Sequence, residues 1–539
     1  MKKILSATLL LAALVVAMSS CKKSFSDLGE NNNKPVKVAP SLLFTGILND
    51  TYEAPYTMAE RWGQYYLCNY DYYGNNRYDF GGLSAKVSDV PADYYSTLAN
   101  VLDMEKAAMA NGANATNPYE ALGKFFRAYL FTKMSLEVGD LPMTDALQGL
   151  NGKQPKYDTQ KAIFKQAFIW LDSANTELAK LIANPDQSNT TPGQVLKGDI
   201  FLANNLVKWQ KVVNTLRIRL LLELSLKATD ADLNVPAQFA MILSNPAKYP
   251  LMSDATDNLQ YTYINPTNKY PNNPDNFGFD ALRYNTSNTY IHLLDSLQDP
   301  RVYITAEPAR YLVDTLKQSA TDFKSFVGAD PGQALKDMYA RNNHGEYSLL
   351  NRHHYYDTYT AEPSIQIGFP ELMFNIAEGI NRGWYTGAPA DSFYKAGIRA
   401  SMDFYGIPVS GPLTVFFLHP GASLGNYDKY NVTVDFNTYY NQATVKYAAG
   451  AQGLKQILQQ RYLALFRHSG LESYFTYRRT GVPNFTVGDG TGNSNRIPLR
   501  FQYNTTERSA NTDNYEAALQ SQYGGNDDIN GVMWLLSSK

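Results

Sequence analysis

Apolar residues recur at steps of three and four through most of the chain, and that period predicts helix after helix. Tyr94 to Ala110 carries Tyr95, Leu98, Val101, Leu102 and Met109 at helical spacing. Pro118 opens the next helix, over Tyr119 to Leu136, with Leu122, Phe125, Phe126, Tyr129 and Leu130 on its apolar side. The Pro-punctuated loop Gly139-Asp140-Leu141-Pro142 ends it. Thr159 to Ile182 sets Ile163, Phe164, Ala167, Phe168, Leu171, Ala174, Leu178 and Leu181 in one wide stripe. Ala203 to Leu226 repeats the design with Leu206, Trp209, Val213, Leu216, Leu220 and Leu224. Further helices are predicted at Phe369 to Arg382, Ala390 to Phe404 and Gly453 to Arg467. An apolar-patterned segment also begins at Ser41 to Asn49.

Between the periodic blocks lie four long polar and aromatic stretches: Tyr65 to Lys86, Thr256 to Ser287, Ser319 to Pro363 and Val409 to Ala449. Loops of such length inside a compact chain carry function or short strands. No boundary separates two folding units, so the expectation is one helical domain over 41–539 with elaborated insertions.

The N-terminus has a pattern of its own. Lys2 and Lys3 precede an apolar or small-residue run from Ile4 to Met18, and Ser19-Ser20 lead into Cys21. That is a secretory signal, residues 1–20, too short and wrongly flanked for a spanning helix. A cysteine at the cut is what lipoprotein processing requires, so Cys21 is read as the lipidated residue. Each buried acyl methylene adds roughly 0.8 kcal/mol of anchoring. Residues 21–40, polar, Asn-rich and holding Pro35 and Pro40, read as a tether. One cysteine remains after it, Cys68, so no intramolecular disulfide is expected. Stability then rests on core burial, for which 539 residues are ample.

Composition narrows the function. Lys and Arg number 48 against 50 Asp and Glu, and charged residues make up only 18% of the chain. Such a weakly charged surface is poor equipment for nucleic acid or an anionic membrane. Aromatics are abundant instead: 40 Tyr, 25 Phe and 5 Trp. Most must be core, but tyrosine's flat apolar face and polar tip suit half-exposed ligand contact where it falls in polar loops.

Several catalytic patterns fail on chemistry. Gly421-Ala422-Ser423-Leu424-Gly425 matches a serine-hydrolase elbow, and Leu413 to Leu418 before it reads as a strand. The elbow needs a helix directly after the serine, whereas Asn426 to Asn431 is polar with no helical stripe. His353-His354 lacks the spacing that turns two imidazoles on one ion. Asn526, Asp528, Asn530 and Gly531 start like a calcium loop, but Ser537 stands where the bidentate Glu belongs. Glu137 with Asp140, or Glu371 with Glu378, are nominal glycosidase pairs that nothing singles out. Arg478-Arg479, near a helix end, reads as structural. No cofactor, no metal and no catalytic residue is expected.

Ala121-Leu122-Gly123 followed by two aromatics resembles a tetratricopeptide helix pair. A longer series of blocks, in order, resembles the SusD/RagB superfamily, nearest its starch-binding-associated SusD-like branch. These are Asn32-Asn33-Lys34-Pro35 with Pro40-Ser41-Leu42-Leu43; Gly139 to Leu147 with Pro155-Lys156-Tyr157-Asp158; and Gly198-Asp199 with Trp209 to Arg217. Asp299-Pro300-Arg301, Glu371 to Glu378, Arg461 to Leu465, Arg478 to Pro483, Ile497 to Arg500 and Tyr503 follow. The chain departs from the pattern in Lys22-Lys23 after the cysteine, with only Asp27 and Glu30 as isolated acids, and in Met533-Trp534 where many relatives pair tryptophans. The resemblance implies a mostly α fold, tetratricopeptide-like helical pairs with a loop-rich ligand-binding face. It also implies a non-catalytic, lipid-anchored outer-membrane protein, exposed at the cell surface, that captures oligosaccharide for a SusC-like TonB-dependent barrel. The alternatives are a lid or scaffold for that barrel, or a binder of peptide or another nutrient.

A sugar ring has an apolar C–H face and a belt of hydroxyls, so its site needs aromatic platforms beside Asn, Asp, Arg or backbone groups. Three segments offer both: Trp62 with Tyr70, Tyr72, Tyr73, Asn76 and Arg77; Tyr270 with Asn276, Phe277 and Tyr284; and Tyr355 with Tyr356.

Overall fold

The computed structural model describes residues 38–55, 58–68, 94–149, 154–185 and 190–537. The leader, Cys21 and all but the last residues of the tether lie outside these, as do Tyr70, Tyr72, Tyr73, Asn76 and Arg77.

Five helices of twelve residues or more lead the described residues: α1 (Pro40–Thr51), α2 (Tyr95–Ala110), α3 (Pro118–Val138), α4 (Gln160–Ala183) and α5 (Leu206–Glu223). Three of their starts are chemically marked. Asn117 accepts from Glu120 N at 2.9 Å ahead of Pro118, Thr159 accepts from Ala162 N at 3.2 Å, and Asn205 accepts from Lys208 N at 3.1 Å. Each side chain satisfies a backbone donor that the first turn leaves open. Sequence neighbours pack as neighbours, α1 on α2, α2 on α3, α3 on α4 and α4 on α5. A Cβ at Gly123 would stand 1.9 Å from Glu105 of α2, which shows how closely that pair approaches. At the centre the rings of Phe44, Phe125 and Phe126 surround Trp209 with centroids 5.5–6.0 Å away. The Trp209 indole N–H donates to Asp199 at 2.8 Å.

The second half adds α6 (Val235–Ser244), α7 (Phe369–Asn381), α8 (Ala390–Phe404), α9 (Ala451–Ala464), α10 (Glu472–Thr480) and α11 (Thr512–Tyr523). Helix α7 packs on α8 and α9, and also on α5. A buried ion network locks that junction. Glu371 of α7 accepts from Arg219 Nε of α5 at 2.8 Å and from Arg461 Nη2 of α9 at 2.9 Å. Arg461 also reaches Glu472 of α10 at 3.3 Å. Burial alone would raise the Glu371 carboxyl, but Arg219 and Arg461 hold it below the ordinary range. Glu378 is likewise claimed by Arg479 and Arg382, which overcome burial and keep it at about 2. The two glutamates are therefore cross-links, and Arg479 of the Arg478-Arg479 pair is part of the same frame.

Among the described residues, the long stretches and their edges carry three antiparallel two-stranded ribbons. Strand β1 (Tyr66–Cys68) pairs with β3 (Tyr284–Thr286), Cys68 opposite Tyr284. Strand β2 (Leu259–Tyr261) pairs with β4 (Ser364–Ile367). The longest ribbon joins β5 (Ser410–Leu418) to β6 (Tyr427–Asp435), from Ser410 opposite Asp435 to Leu418 opposite Tyr427. Ser423 lies in its connecting turn, with Gly421 and Gly425 at φ +72° and +89°. The next element after the serine is strand β6, so the hydrolase-elbow geometry is not formed. Two large cores result among the described residues: an aliphatic and Phe/Trp-rich one under α1–α5, and a tyrosine-rich one under the ribbons and α7–α9.

The last residues fold back onto the first helices. Gln160 Oε1 accepts from Leu535 N at 2.9 Å while its Nε2 donates to Ser135 O at 2.8 Å. Lys227 donates to Ser537 O at 2.8 Å, and Phe501 N donates to Glu137 O at 2.8 Å. Arg478 Nη2 donates to Leu136 O at 2.7 Å.

Inside this seam, both carboxyl oxygens of buried Glu137 lack a hydrogen-bond partner among the described residues. Burial pushes the carboxyl up to about 8, and Lys133 offsets this only in part. Between its ordinary value of 4.5 and about 8 the folded protein keeps a proton that the unfolded chain has lost. Stability from this group is thus full below the window and declines as pH rises through it. Thermal melts of Glu137→Gln from about pH 5 to about pH 9 are expected to show a flatter decline than the parent protein. Parallel curves would refute the assignment.

Candidate ligand-binding face

Two of the three segments singled out for ring-and-amide content, 270–284 and 355–356, come together in the tyrosine-rich half. Strands β1 and β3 pair, bringing 66–68 against 284–286. Residues 270–277 then pack on the short helix Arg352–Tyr356.

Among the described residues, four of the six nominated rings turn inward, which corrects the expectation that these four present faces to a ligand. Trp62, 2% exposed, stacks on Phe501 at 4.2 Å and meets Tyr474 edge-on at 4.9 Å. Tyr270 and Tyr355 are fully buried, and Tyr356 is 1% exposed. For these last three a distant side chain is part of the cause. Arg467 lies 4.6 Å over the Tyr355 ring and donates from Nε to the Tyr270 hydroxyl at 3.1 Å. It also donates to Asn272 Oδ1, and Asn272 Nδ2 donates to the Tyr356 hydroxyl at 3.0 Å. A desolvated guanidinium between ring faces gains cation–π attraction while the Tyr270 hydroxyl and the Asn272 amide oxygen accept from Nε and Nη2. Burial pushes the Tyr270 and Tyr355 hydroxyls well up, so both stay protonated and able to donate. His354 Nε2 bonds Glu362 at 2.8 Å, and His353 stacks on Phe416 at 4.6 Å. The two imidazoles thus serve different neighbours. Among the described residues no group of three or more His, Cys, Asp or Glu is placed to hold a metal ion.

The half-open positions form a rim around this interior. Tyr284, half-buried on β3, meets Tyr66 edge-on at 5.2 Å. Phe277, also half-buried, meets Tyr356 edge-on at 6.0 Å. Asn276 folds into a cap, accepting from Asn273 N at 3.0 Å. Beside it Lys269 and the Tyr359 hydroxyl converge on Asp275, the latter at 2.9 Å, with the Lys269 ammonium 4.3 Å over the Tyr359 ring. Tyr359 is not among the residues that the sequence pattern nominates, although its flanks Asp357-Thr358 and Thr360 mark it as a ring in polar company. Arg467 carries no local signal, because its partners come from over a hundred residues upstream.

Paired helices on one side and a rim of half-buried rings, amides and one ion pair on the other define a helical-repeat binding protein. The family model described as starch-binding and associating with the outer membrane, SusD-like, matches residues 32–504. The chain belongs to that family, which places it among outer-membrane-associated carbohydrate binders. A solved SusD homologue of Bacteroides fragilis is 28% identical with a TM-score of 0.76, covering 93% of this chain and 100% of its own. A second from the same species is 26% identical with a TM-score of 0.72 over 93% and 100%. A chitin-binding SusD homologue of Flavobacterium johnsoniae shares the fold at 19% identity, TM-score 0.65, over 92% and 98%. No curated protein matches the chain. Among the described residues no helix is long and apolar enough to cross a membrane.

Proposed function

We propose that this protein captures an oligosaccharide without transforming it and hands it to a TonB-dependent barrel of the SusC kind. In this reading the chain is held on the outer membrane, facing outward, by acyl groups on Cys21. The observation that carries it is the rim: Phe277, Tyr284 and Tyr359 half-open on a rigid tyrosine frame, flanked by Asn276, Lys269 and Asp275. Ring edges and faces suit a sugar's C–H surface, and the flanking groups suit its hydroxyls. Cys68, the last described residue before the stretch holding Tyr70, Tyr72, Tyr73, Asn76 and Arg77, stands opposite Tyr284 of this rim. Those residues are proposed as its further contacts. That the Flavobacterium johnsoniae relative is chitin-binding supports the ligand class.

Isothermal titration against plant and host glycans tests the reading. At least one glycan is expected to bind, and Tyr70→Ala/Tyr72→Ala/Tyr73→Ala to weaken it about a hundredfold, each lost platform removing roughly 1 kcal/mol. Silence across the panel would count against glycan capture. Weakened barrel association in the triple variant would point to a scaffold instead. Mass analysis of the same protein purified from membranes is expected to find Cys21 acylated at the mature N-terminus.

A further inference from the structure

A second recess is built from residues that the rim does not use. The stretches 319–363 and 409–449 meet there, with the ends of α8 and of the loop after residue 297, around a groove of about 420 Å³. That volume falls in the range of small-ligand sites.

Its walls are aromatic and held from behind. The Tyr439 hydroxyl is turned inward to Asp299 and accepts from Gln460 Nε2 at 2.8 Å, which fixes its ring as floor. The Tyr303 hydroxyl donates to Thr321 O at 2.8 Å, and its ring lies 5.2 Å from that of Phe323 at a tilt of 40°. Phe323 and Phe436 are half-buried, so each keeps part of a ring on the groove.

The mouth is polar. Gln442 donates from Nε2 to Leu297 O at 3.2 Å and Tyr439 O at 3.1 Å, which orients the amide and leaves Oε1 as an acceptor. Asp435 uses Oδ1 to cap the short helix Phe436–Tyr440, accepting from Thr438 N at 2.6 Å. Gln298, Thr433 and Thr438 complete the edge, all exposed. Among the described residues Asp435 is the one charged side chain in the lining, and no Lys, Arg or His lines it. An anionic ligand would meet repulsion without a compensating cation. A long apolar ligand would leave the polar mouth unsatisfied. A ring with an apolar face and neutral hydroxyls satisfies both the walls and the mouth.

We propose that this groove is a separate binding site for a neutral sugar of one or two rings, distinct from the loop rim; the inference rests on the glycan-capture reading. Saturation-transfer NMR with neutral and with sulfated or uronic mono- and disaccharides tests it on the full protein. Two variants address the groove: Thr433→Trp, an exposed strand position whose indole would fill the mouth, and Gln442→Leu. Tyr284→Ala addresses the rim. A neutral sugar is expected to give transfer that falls at least fivefold in both groove variants, persists in Tyr284→Ala, and is absent with the anionic sugars. Transfer unchanged by both groove variants, or abolished by Tyr284→Ala, overturns the groove while leaving capture at the rim intact. If longer glycans also fail to bind in titration, the capture reading falls and the groove with it.

Discussion

Glu371→Ala is expected to lower the unfolding free energy by about 3–5 kcal/mol, the cost of breaking a buried ion pair by removing one partner. Two guanidiniums depend on that carboxylate, Arg219 and Arg461, with side chains 4% and 2% exposed. They arrive from α5 and α9, so the loss also unties α7 from both neighbours. Glu472 lies 3.7 Å from Arg219 and 3.3 Å from Arg461 and compensates only in part. Glu371→Gln retains hydrogen-bond acceptance without the charge and should fall between the two. Urea denaturation followed by circular dichroism reads the effect. A loss below about 1 kcal/mol, the size of an exposed pair, would show that Glu472 carries the network alone.

Trp209→Ala should cost a similar amount, about 3–5 kcal/mol, through a cavity in the first-half core. The indole touches rings contributed by α1 and α3, so its removal opens space that none of them can fill without leaving another contact. Trp209→Phe separates the contributions. It keeps a ring but loses the 2.8 Å bond to Asp199, which should cost roughly 1 kcal/mol from that bond alone. Asp199 still accepts from Asn204 N at 2.9 Å, so its carboxylate is not abandoned. Equal losses for Ala and Phe would overturn the packing argument.

The helical half is legible in the sequence because burial there follows a local period. The stripe from Ile163 to Leu181 predicts Thr159 to Ile182, and α4 runs Gln160–Ala183 with Thr159 as its cap. Helix α5 starts at Leu206, later than Ala203, because Ala203 and Asn204 have positive φ and Asn205 supplies the cap. The ribbon β5–β6 is legible only in its first strand. Tyr430, Val432 and Val434 alternate with polar residues, a strand signal weakened by its exposed face. The site is the hardest part, since a tyrosine in a polar stretch looks the same whether its ring meets water or an arginine. Tyr270 and Tyr284 sit fourteen residues apart in similar company; distant partners, Arg467 and Tyr355 among them, bury the first. Burial imposed by distant partners leaves no periodic trace.

The fold-back of residues 501–537 onto α3 and α4 has a consequence for how the chain must mature. A polypeptide emerging N-terminus first makes its opening helices long before their covering segment exists. The Ser135–Gln160 seam stays uncapped until Leu535 arrives, some 375 residues after Gln160. The early product therefore exposes apolar surface for most of its synthesis and export, a condition that invites holdase protection. A nonsense codon near the end would cost far more than the few residues it deletes.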